Sequence, residues 1–284
     1  MQTIRQLVSL RETIATLRGE GARIALVPTM GALHAGHIAL IEAAKLVADK
    51  VVASIFVNPK QFAPGEDLAR YPRREQADAR MLADAGCAVL WLPGVEEMYP
   101  DGFATSITVS GVSEGLDGAA RPGHFDGVAT VVAKLFNQVG ADVALFGEKD
   151  FQQLAVIRRM VADLNLPIEI ISVLTQRDDD GLALSSRNIY LAPEDRARAV
   201  ALPRALGVAA RVIGQGGDAV QALATAREAL LSGGFDTVDY VELVDAETLA
   251  PMPDPARPRR LLAAARIAGT RLIDNIAVEP IATT

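Results

Sequence analysis

The 284-residue chain carries 28 Lys and Arg against 35 Asp and Glu, a formal net charge of -7, and half of its residues are hydrophobic. That length suggests one large or two modest domains with a sizeable core, and the acidic balance excludes a general nucleic-acid binder, which would present a basic face. Cys87 is the single cysteine, so no intrachain disulfide forms. With no secretory h-region at the start and no run of about 18 apolar residues, the expectation is a cytoplasmic protein without a membrane span.

In chain order, the opening stretch MQTIRQLVSLRETIATLRGEG reads as an amphipathic helix with charges throughout. The apolar run Ile24–Val27 reads as a strand, followed by a glycine loop, Gly31-Ala32-Leu33-His34-Ala35-Gly36-His37, and a helical pattern over Ile38–Lys50. Val51–Val57, Ala88–Leu92, Val143–Phe146 and Ile168–Val173 read as further strands, with helices over Arg73–Ala85, Gly127–Val139 and Phe151–Leu164. Strands separated by helices of this length imply crossovers and a parallel sheet. Ligands collect at the carboxyl ends of such strands. His34 follows the first strand, Asn58 the second and Gly147-Glu148-Lys149-Asp150 the fourth, so three polar clusters are expected on one edge.

The texture changes after Leu174. Arg177-Asp178-Asp179-Asp180-Gly181 is a polar turn, read as solvated rather than metal-binding, and Leu182–Tyr190 has no clear period. Pro193–Ile213 and Ala219–Leu231 look helical, separated by Gly214-Gln215-Gly216-Gly217. Val238–Val244 and Arg271–Ala277 look like strands, with a proline-rich link from Pro251 to Pro258 between them. The fold class expected is therefore α/β: a Rossmann-like parallel-sheet domain over residues 1–180 and a smaller C-terminal α/β lid domain over residues 181–284.

The H-x-G-H loop carries the most chemistry. Gly31 and Gly36 have the spacing of a P-loop, but His37-Ile38 stands where that loop needs Lys-Ser/Thr, and G-x-G-x-x-G is absent. A strand, a glycine loop and a helix N-terminus with two imidazoles favour an anion, because backbone N–H groups and the helix dipole point at it. An imidazole adds a directional hydrogen bond to a phosphate oxygen. Other polar residues have two readings each. Lys149 could be a surface lysine, and Gln61 and Gln153 surface amides. Ser185-Ser186-Arg187-Asn188 could be a capping loop before Pro193. His124 could brace the turn at Gly123 and Gly127, Arg121 could steady a loop, and Asn58 could be a turn residue before Pro59 or a ligand contact.

The H-x-G-H loop with a later Ser-Ser-Arg-Asn loop resembles the adenylylating nucleotidyltransferase superfamily, whose plan class I aminoacyl-tRNA synthetases share. The resemblance narrows with five segments in order: residues 30–37 with Pro28-Thr29 before them, Phe56-Val57-Asn58-Pro59-Lys60-Gln61-Phe62, Gly123-His124-Phe125-Asp126-Gly127-Val128, Phe146-Gly147-Glu148-Lys149-Asp150-Phe151-Gln152-Gln153 and Leu184-Ser185-Ser186-Arg187-Asn188. This series is similar to the pantoate–β-alanine ligase family and runs from about residue 5 to residue 280.

The resemblance implies the following roles. Met30, Gly31, Ala32, Leu33, His34, Ala35, Gly36 and His37 would hold ATP, with His37 the usual proton donor. Gly147, Glu148, Lys149 and Asp150 would contact the nucleotide, with Lys149 at the phosphates. Leu184, Ser185, Ser186 and Arg187 would close over the triphosphate. Gln61 and Gln153 would bind pantoate, and Gln61 also β-alanine. Gln176 stands where the family usually has valine beside the adenine; a contact through its backbone would leave ATP binding unchanged. His34, His37, Lys149 and Arg187 form the expected catalytic set.

That implied chemistry is coherent. A carboxylate acylates an amine poorly, and transfer of AMP gives it a good leaving group. Both reactants of that first step are anionic, so the site must supply positive charge and donors. Mg²⁺ would ride on the triphosphate with few protein ligands, and no dedicated protein metal site is expected. β-Alanine must then lose a proton to attack. Partners are expected to be small molecules and a second copy of the chain in a homodimer, with no nucleic acid and no membrane. A nucleotidyltransferase that releases its adenylylated product, and a non-catalytic nucleotide-binding module, are the competing functions. A place for an amine beside Gln61 and Gln153 favours the ligase, and retention of His34, His37, Lys149 and Arg187 disfavours the module. A class I tRNA synthetase would need a basic tRNA face, which the sequence does not show.

Overall fold

The computed structural model describes residues 1–279; residues 280–284, the end of the expected second domain and of the family-like stretch, lie outside the described residues. The chain forms two compact units. Of the described residues, the first comprises 1–110, 121–148 and 156–174, and the second 111–120, 149–155 and 175–279.

The first unit is built on strands β1 (Gln2–Ile4), β2 (Ile24–Thr29), β3 (Lys50–Ile55), β4 (Val89–Trp91), β5 (Val143–Gly147) and β6 (Glu169–Val173). They form one parallel sheet in the order β1-β4-β3-β2-β5-β6. Its helices are α1 (Leu7–Gly19), α2 (Ala35–Val47), α3 (Glu75–Asp84) and α4 (Val95–Met98). Next in the chain, α5 (Asp117–Ala120) belongs to the second unit and α6 (His124–Val139) to the first, and α7 (Phe151–Asp163) begins in the second unit's residues and ends in the first's.

The central strands read as continuous apolar runs because both faces are covered. Ala25, Val27, Val51, Ala53, Ile55, Leu90, Val143 and Leu145 on one face pack with Leu40, Ile41 and Ala44 of α2 and Leu82 of α3. On the other face lies α6, buried over most of its length, with Trp91 donating to Gln138 at 3.0 Å within the core. From β2 the chain adds β3 and β4 on one side, then resumes with β5 and β6 on the other. The order therefore reverses between β2 and β5, the place where open parallel sheets bind ligands. The carboxyl ends of β2, β3 and β5 lie on one edge, as the sequence pattern predicts.

The first residues depart from that pattern. Gln2–Ile4 are not helical but pair in parallel with Val89–Trp91, and the helix starts only at Leu7. Three residues carry no periodicity, and their partner strand lies far along the chain.

The second unit contains α8 (Pro193–Ala199), α9 (Ala201–Gly214), α10 (Ala219–Ser232) and an antiparallel sheet of β7 (Thr237–Asp245), β8 (Arg259–Ile267) and β9 (Thr270–Val278) in that order. The single helix expected over Pro193–Ile213 is two, broken at Val200. Pro203 supplies the reason: it has no N–H to donate, and its ring opposes the carbonyl of Ala199. Strand β8 is an addition to the expected pair. Its Leu261, Ala263 and Ala265 face the α9 and α10 side, while Leu262 and Ala264 face Leu116, Tyr240 and Val244. A central strand buried on both faces shows no alternation, and its alanines carry no strand signal.

Candidate active site

In the first unit the H-x-G-H loop is divided into a buried half and an accessible half. Gly31, Ala32 and Leu33 are buried, while His34–His37 are partly exposed or exposed. Gly31 adopts φ +83°, and a Cβ there would lie 3.1 Å from both Asp78 Oδ2 and Ile55 Cγ2, so any larger residue is strained there. The amides of Ala32 and Leu33 donate to the two oxygens of Asp78 at 2.8 and 2.9 Å, and Asp78 is 2% exposed. The Gly31 amide donates to Thr29 Oγ1. The amides of Gly31, Ala32 and Leu33 are therefore committed inside the protein.

The two imidazoles lie at the accessible end of the loop. His34 caps α2, its Nδ1 accepting from Gly36 N at 3.2 Å, and His37 Nδ1 accepts from His34 N at 3.3 Å. An accepting Nδ1 carries no hydrogen, so a neutral ring must hold its proton on Nε2. Both rings are thus preset as Nε2–H donors, with centroids 4.1 Å apart. A pair of such donors at a helix N-terminus suits the oxygens of a phosphate.

Gln61 sits after β3 in a short 3-10 turn, Pro59–Gln61, and is 8% exposed. Its Oε1 accepts from Asn58 Nδ2 at 3.0 Å and its Nε2 lies 3.2 Å from Met30 Sδ, so two elements orient one amide. Asn58 proves to be a brace. It is 1% exposed, its Nδ2 also donates to Gly127 O, and its Oδ1 accepts from Lys60 N and Tyr99 Oη. Burial raises the Tyr99 hydroxyl well above its ordinary pKa, so it remains a donor. Helix α6 presses on the same turn: a Cβ on Gly127 would lie 2.3 Å from Lys60 O and 2.7 Å from Gln61 Cα. On the backbone side, His124 Nδ1 lies 2.8 Å from Gln61 O, and Arg121 joins His124 to Glu66. Burial pushes the Glu66 carboxyl up, but the hydrogen bonds and charge of Arg121 outweigh it and hold the group below the usual glutamate value. At the end of β5, Gly147 is partly exposed, and Glu148 accepts from Ser172 Oγ at 3.1 Å.

In the second unit, Lys149 is half-buried in the turn Glu148–Asp150; Asp150 is exposed. The Lys149 carbonyl accepts from Asn275 Nδ2 at 2.9 Å, while its ammonium has no carboxylate partner among the described residues. Asn275 Oδ1 accepts from Arg260 Nε, and that guanidinium lies 4.3 Å from the ring centre of Phe151. Asp274 pairs at both oxygens with Arg177. Arg177 starts the hairpin in which Gln176 O accepts from Leu184 N and Arg177 bridges to Ala183. The side chain of Gln176 is exposed. Ser185 Oγ accepts from Arg187 N at 3.2 Å and so caps the 3-10 turn Ser186–Tyr190. Lys149 and Ser185 line one small cavity with Leu182 and Asp274. Two expected site segments, distant in sequence, are thereby brought together. Asp178 and Asp180 pair with Arg196 at 2.7 and 2.8 Å, a tethered surface turn.

The adjacent glutamines separate by role. Gln152 is 4% exposed, accepts from Asp117 N and donates to the carbonyls of Val112 and Gly115. Gln153 is half-buried and makes no hydrogen bond among the described residues, which leaves its amide available. Sequence reasoning missed Asp78, Tyr99 and Asn275, each of which holds a site residue through its backbone or through a second side chain. Only the phase of Asp78 on a helix was visible; its partners lie 45 and 46 positions away. Among the described residues no helix is long and apolar enough to cross a membrane.

The family model described as pantoate-beta-alanine ligase matches residues 2–277. A pantothenate synthetase of Rhizorhabdus wittichii is 65% identical over 280 residues, covering 99% of each chain, and one of Paramagnetospirillum magneticum is 57% identical over 98% of each. Among solved structures, pantothenate synthetase from Thermus thermophilus superposes with a TM-score of 0.93 at 49% identity, over 99% of this chain and 100% of that one. Pantoate-beta-alanine ligase from Francisella tularensis, complexed with beta-gamma ATP and beta-alanine, superposes with a TM-score of 0.83 at 34% identity over 97% of each chain.

Proposed function

The chain belongs to the pantoate-β-alanine ligase family, and from that premise we propose how its residues carry the reaction. It is a ligase that uses ATP to condense pantoate with β-alanine to pantothenate. The observation that supports this reading best is agreement over the whole chain, in sequence and in backbone, with pantothenate synthetases.

In the first step an oxygen of the pantoate carboxylate attacks the α-phosphorus of ATP and pyrophosphate leaves, giving pantoyl adenylate. The Nε2–H groups of His34 and His37 donate to phosphate oxygens, with His37 the proton donor. The ammonium of Lys149 and the guanidinium of Arg187 meet the growing negative charge. Met30–His37, Gly147–Asp150, Gln176 and Leu184–Arg187 make the remaining nucleotide contacts. Gln176 does so through its backbone, the contact that leaves ATP binding unchanged by the side chain standing there. Gln61 and Gln153 hold the hydroxy acid with neutral amides, which suit its hydroxyl groups. In the second step the β-alanine amine, placed by Gln61, attacks the acyl carbon. AMP leaves, the amide forms, and the nitrogen gives up its extra proton.

Among the described residues no group of three His, Cys, Asp or Glu is placed to hold a metal. Mg²⁺ would ride on the triphosphate with few protein ligands, where it would offset phosphate charge. The cytoplasm as location and a homodimer as assembly belong to the same proposal.

The experiment is isotope exchange. With Mg²⁺, ATP and pantoate present and β-alanine absent, labelled pyrophosphate exchanges into ATP, because the first step reverses on the enzyme. Adding β-alanine then yields AMP, pyrophosphate and the amide. Exchange that strictly requires β-alanine would overturn the adenylate route while leaving the overall ligase reaction intact. Absence of the amide product would overturn the function.

A further inference from the structure

We infer that Glu66, Arg121 and His124 form a relay that positions Gln61 for its substrates through the Gln61 backbone, with His124 locked as a neutral Nδ1–H tautomer. The inference rests on the reading of Gln61 as a substrate contact and concerns residues to which that reading gives no role.

The geometry leaves one proton arrangement. Arg121 grips Glu66 with two nitrogens, Nε to Oε1 at 2.6 Å and Nη2 to Oε2 at 2.7 Å. Its remaining nitrogen, Nη1, lies 3.0 Å from His124 Nε2. A guanidinium has donors only, so Nε2 must accept and carries no hydrogen. The proton of the neutral ring is then on Nδ1, which donates to Gln61 O at 2.8 Å. The arrangement is opposite to that of His34 and His37, whose Nδ1 atoms accept. A second proton on His124 would set an N–H against Arg121 and break the relay.

The placement fits a positioning role better than a general brace. The turn carrying Gln61 is already packed by Gly127 and tied by Asn58. The relay adds a separate hold on the Gln61 peptide. The Arg121 and Glu66 side chains are only 12% and 22% exposed, and an ion pair taken that far from water returns little stability. What it supplies is direction. The Gln61 side chain is fixed from Asn58 and Met30, and its carbonyl from His124 at 2.8 Å with a longer bond from Arg121 Nη2 at 3.4 Å, so the peptide and the amide cannot rotate independently.

Asparagine at position 124 places an N–H near Nδ1 of histidine, whereas alanine removes it. The test compares His124→Ala, His124→Asn, Gln61→Ala and the double variant Gln61→Ala/His124→Ala, each checked for native circular dichroism. His124→Ala should raise the KM for pantoate about tenfold, the scale of one lost well-placed hydrogen bond, with the KM for ATP unchanged. His124→Asn should recover most of that loss. The double variant should match Gln61→Ala alone, because the relay acts through Gln61. Nitrogen NMR of labelled histidine should show the Nδ1–H form at position 124. If Gln61→Ala raises KM but His124→Ala does not, or if the two effects multiply, the relay is refuted while Gln61 stands as a substrate contact. If Gln61→Ala leaves KM unchanged, the reading of Gln61 falls and the proposal with it. An Nε2–H signal for His124 overturns the relay whatever the kinetics.

Discussion

Asp78 offers the sharpest test of how the H-x-G-H loop is held. Its two oxygens accept the amides of Ala32 and Leu33 at 2.8 and 2.9 Å in a site where the residue is 2% exposed. A hydrogen bond to a charged group contributes about 1.5–3 kcal/mol, and a buried donor left without an acceptor costs about 1–3 kcal/mol. Asp78→Ala removes both bonds and strands both donors, and water entering the vacated space returns part of the loss. The expected destabilisation is about 3–5 kcal/mol. Asp78→Asn keeps the volume and one oxygen but turns an NH₂ toward the other amide, so about 1.5–3 kcal/mol is expected. Urea denaturation followed by circular dichroism measures both, with the slope checked for constancy. Pyrophosphate exchange on the folded fraction should fall on the order of a hundredfold in Asp78→Asn, because His34 follows directly on the loop that has moved. Variants within about 0.5 kcal/mol of the parent would refute the energetic argument. Lost stability with undiminished exchange would show that Asp78 braces the fold without shaping the loop.

Four further outcomes follow from the geometry. Lys149→Ala should slow adenylate formation about a hundred- to a thousandfold with the fold intact, and single-turnover rates near the parent value would remove this ammonium from the mechanism. Gly127→Ala must displace the Lys60–Gln61 backbone, since its Cβ would start 2.3 Å from Lys60 O; it should cost about 1–3 kcal/mol and raise the KM for pantoate, and an unchanged KM would contradict the close approach. Cys87 is 4% exposed and burial pushes its thiol up to about 12, so the native protein should resist disulfide reagents near neutral pH and react only on unfolding; fast labelling of native protein refutes this. The Glu66 carboxyl is depressed in the fold, so its pairing adds stability above the unfolded value of 4.5 and loses it as pH falls through the lower folded value. Glu66→Gln should therefore flatten the acid limb of the stability curve, and parallel curves for the two proteins would exclude that linkage.

Much of the architecture was legible in the residues alone. The parallel sheet was readable because central strands carry apolar runs such as Ile24–Val27 and Val51–Ala53, and the helices between them have the right period and length. The shared edge carrying His34, Asn58 and Gly147 followed from that alternation, since all strands of a parallel sheet point their carboxyl ends the same way. Tertiary structure decided what lay outside local pattern. Gln2–Ile4 became a strand only because β4 offered an edge, and Leu261–Ala265 became a central strand only because both its faces were covered. The same division runs through the candidate site. Which residue types stand there is a property of the sequence, because side-chain chemistry is local. How they are held is not: Asp78 on the loop amides, His124 on the Gln61 carbonyl and Asn275 on the Lys149 carbonyl join residues 45, 63 and 126 positions apart. No sequence period records such pairings, because a hydrogen bond between distant residues exists only once the chain has brought donor and acceptor to the same place.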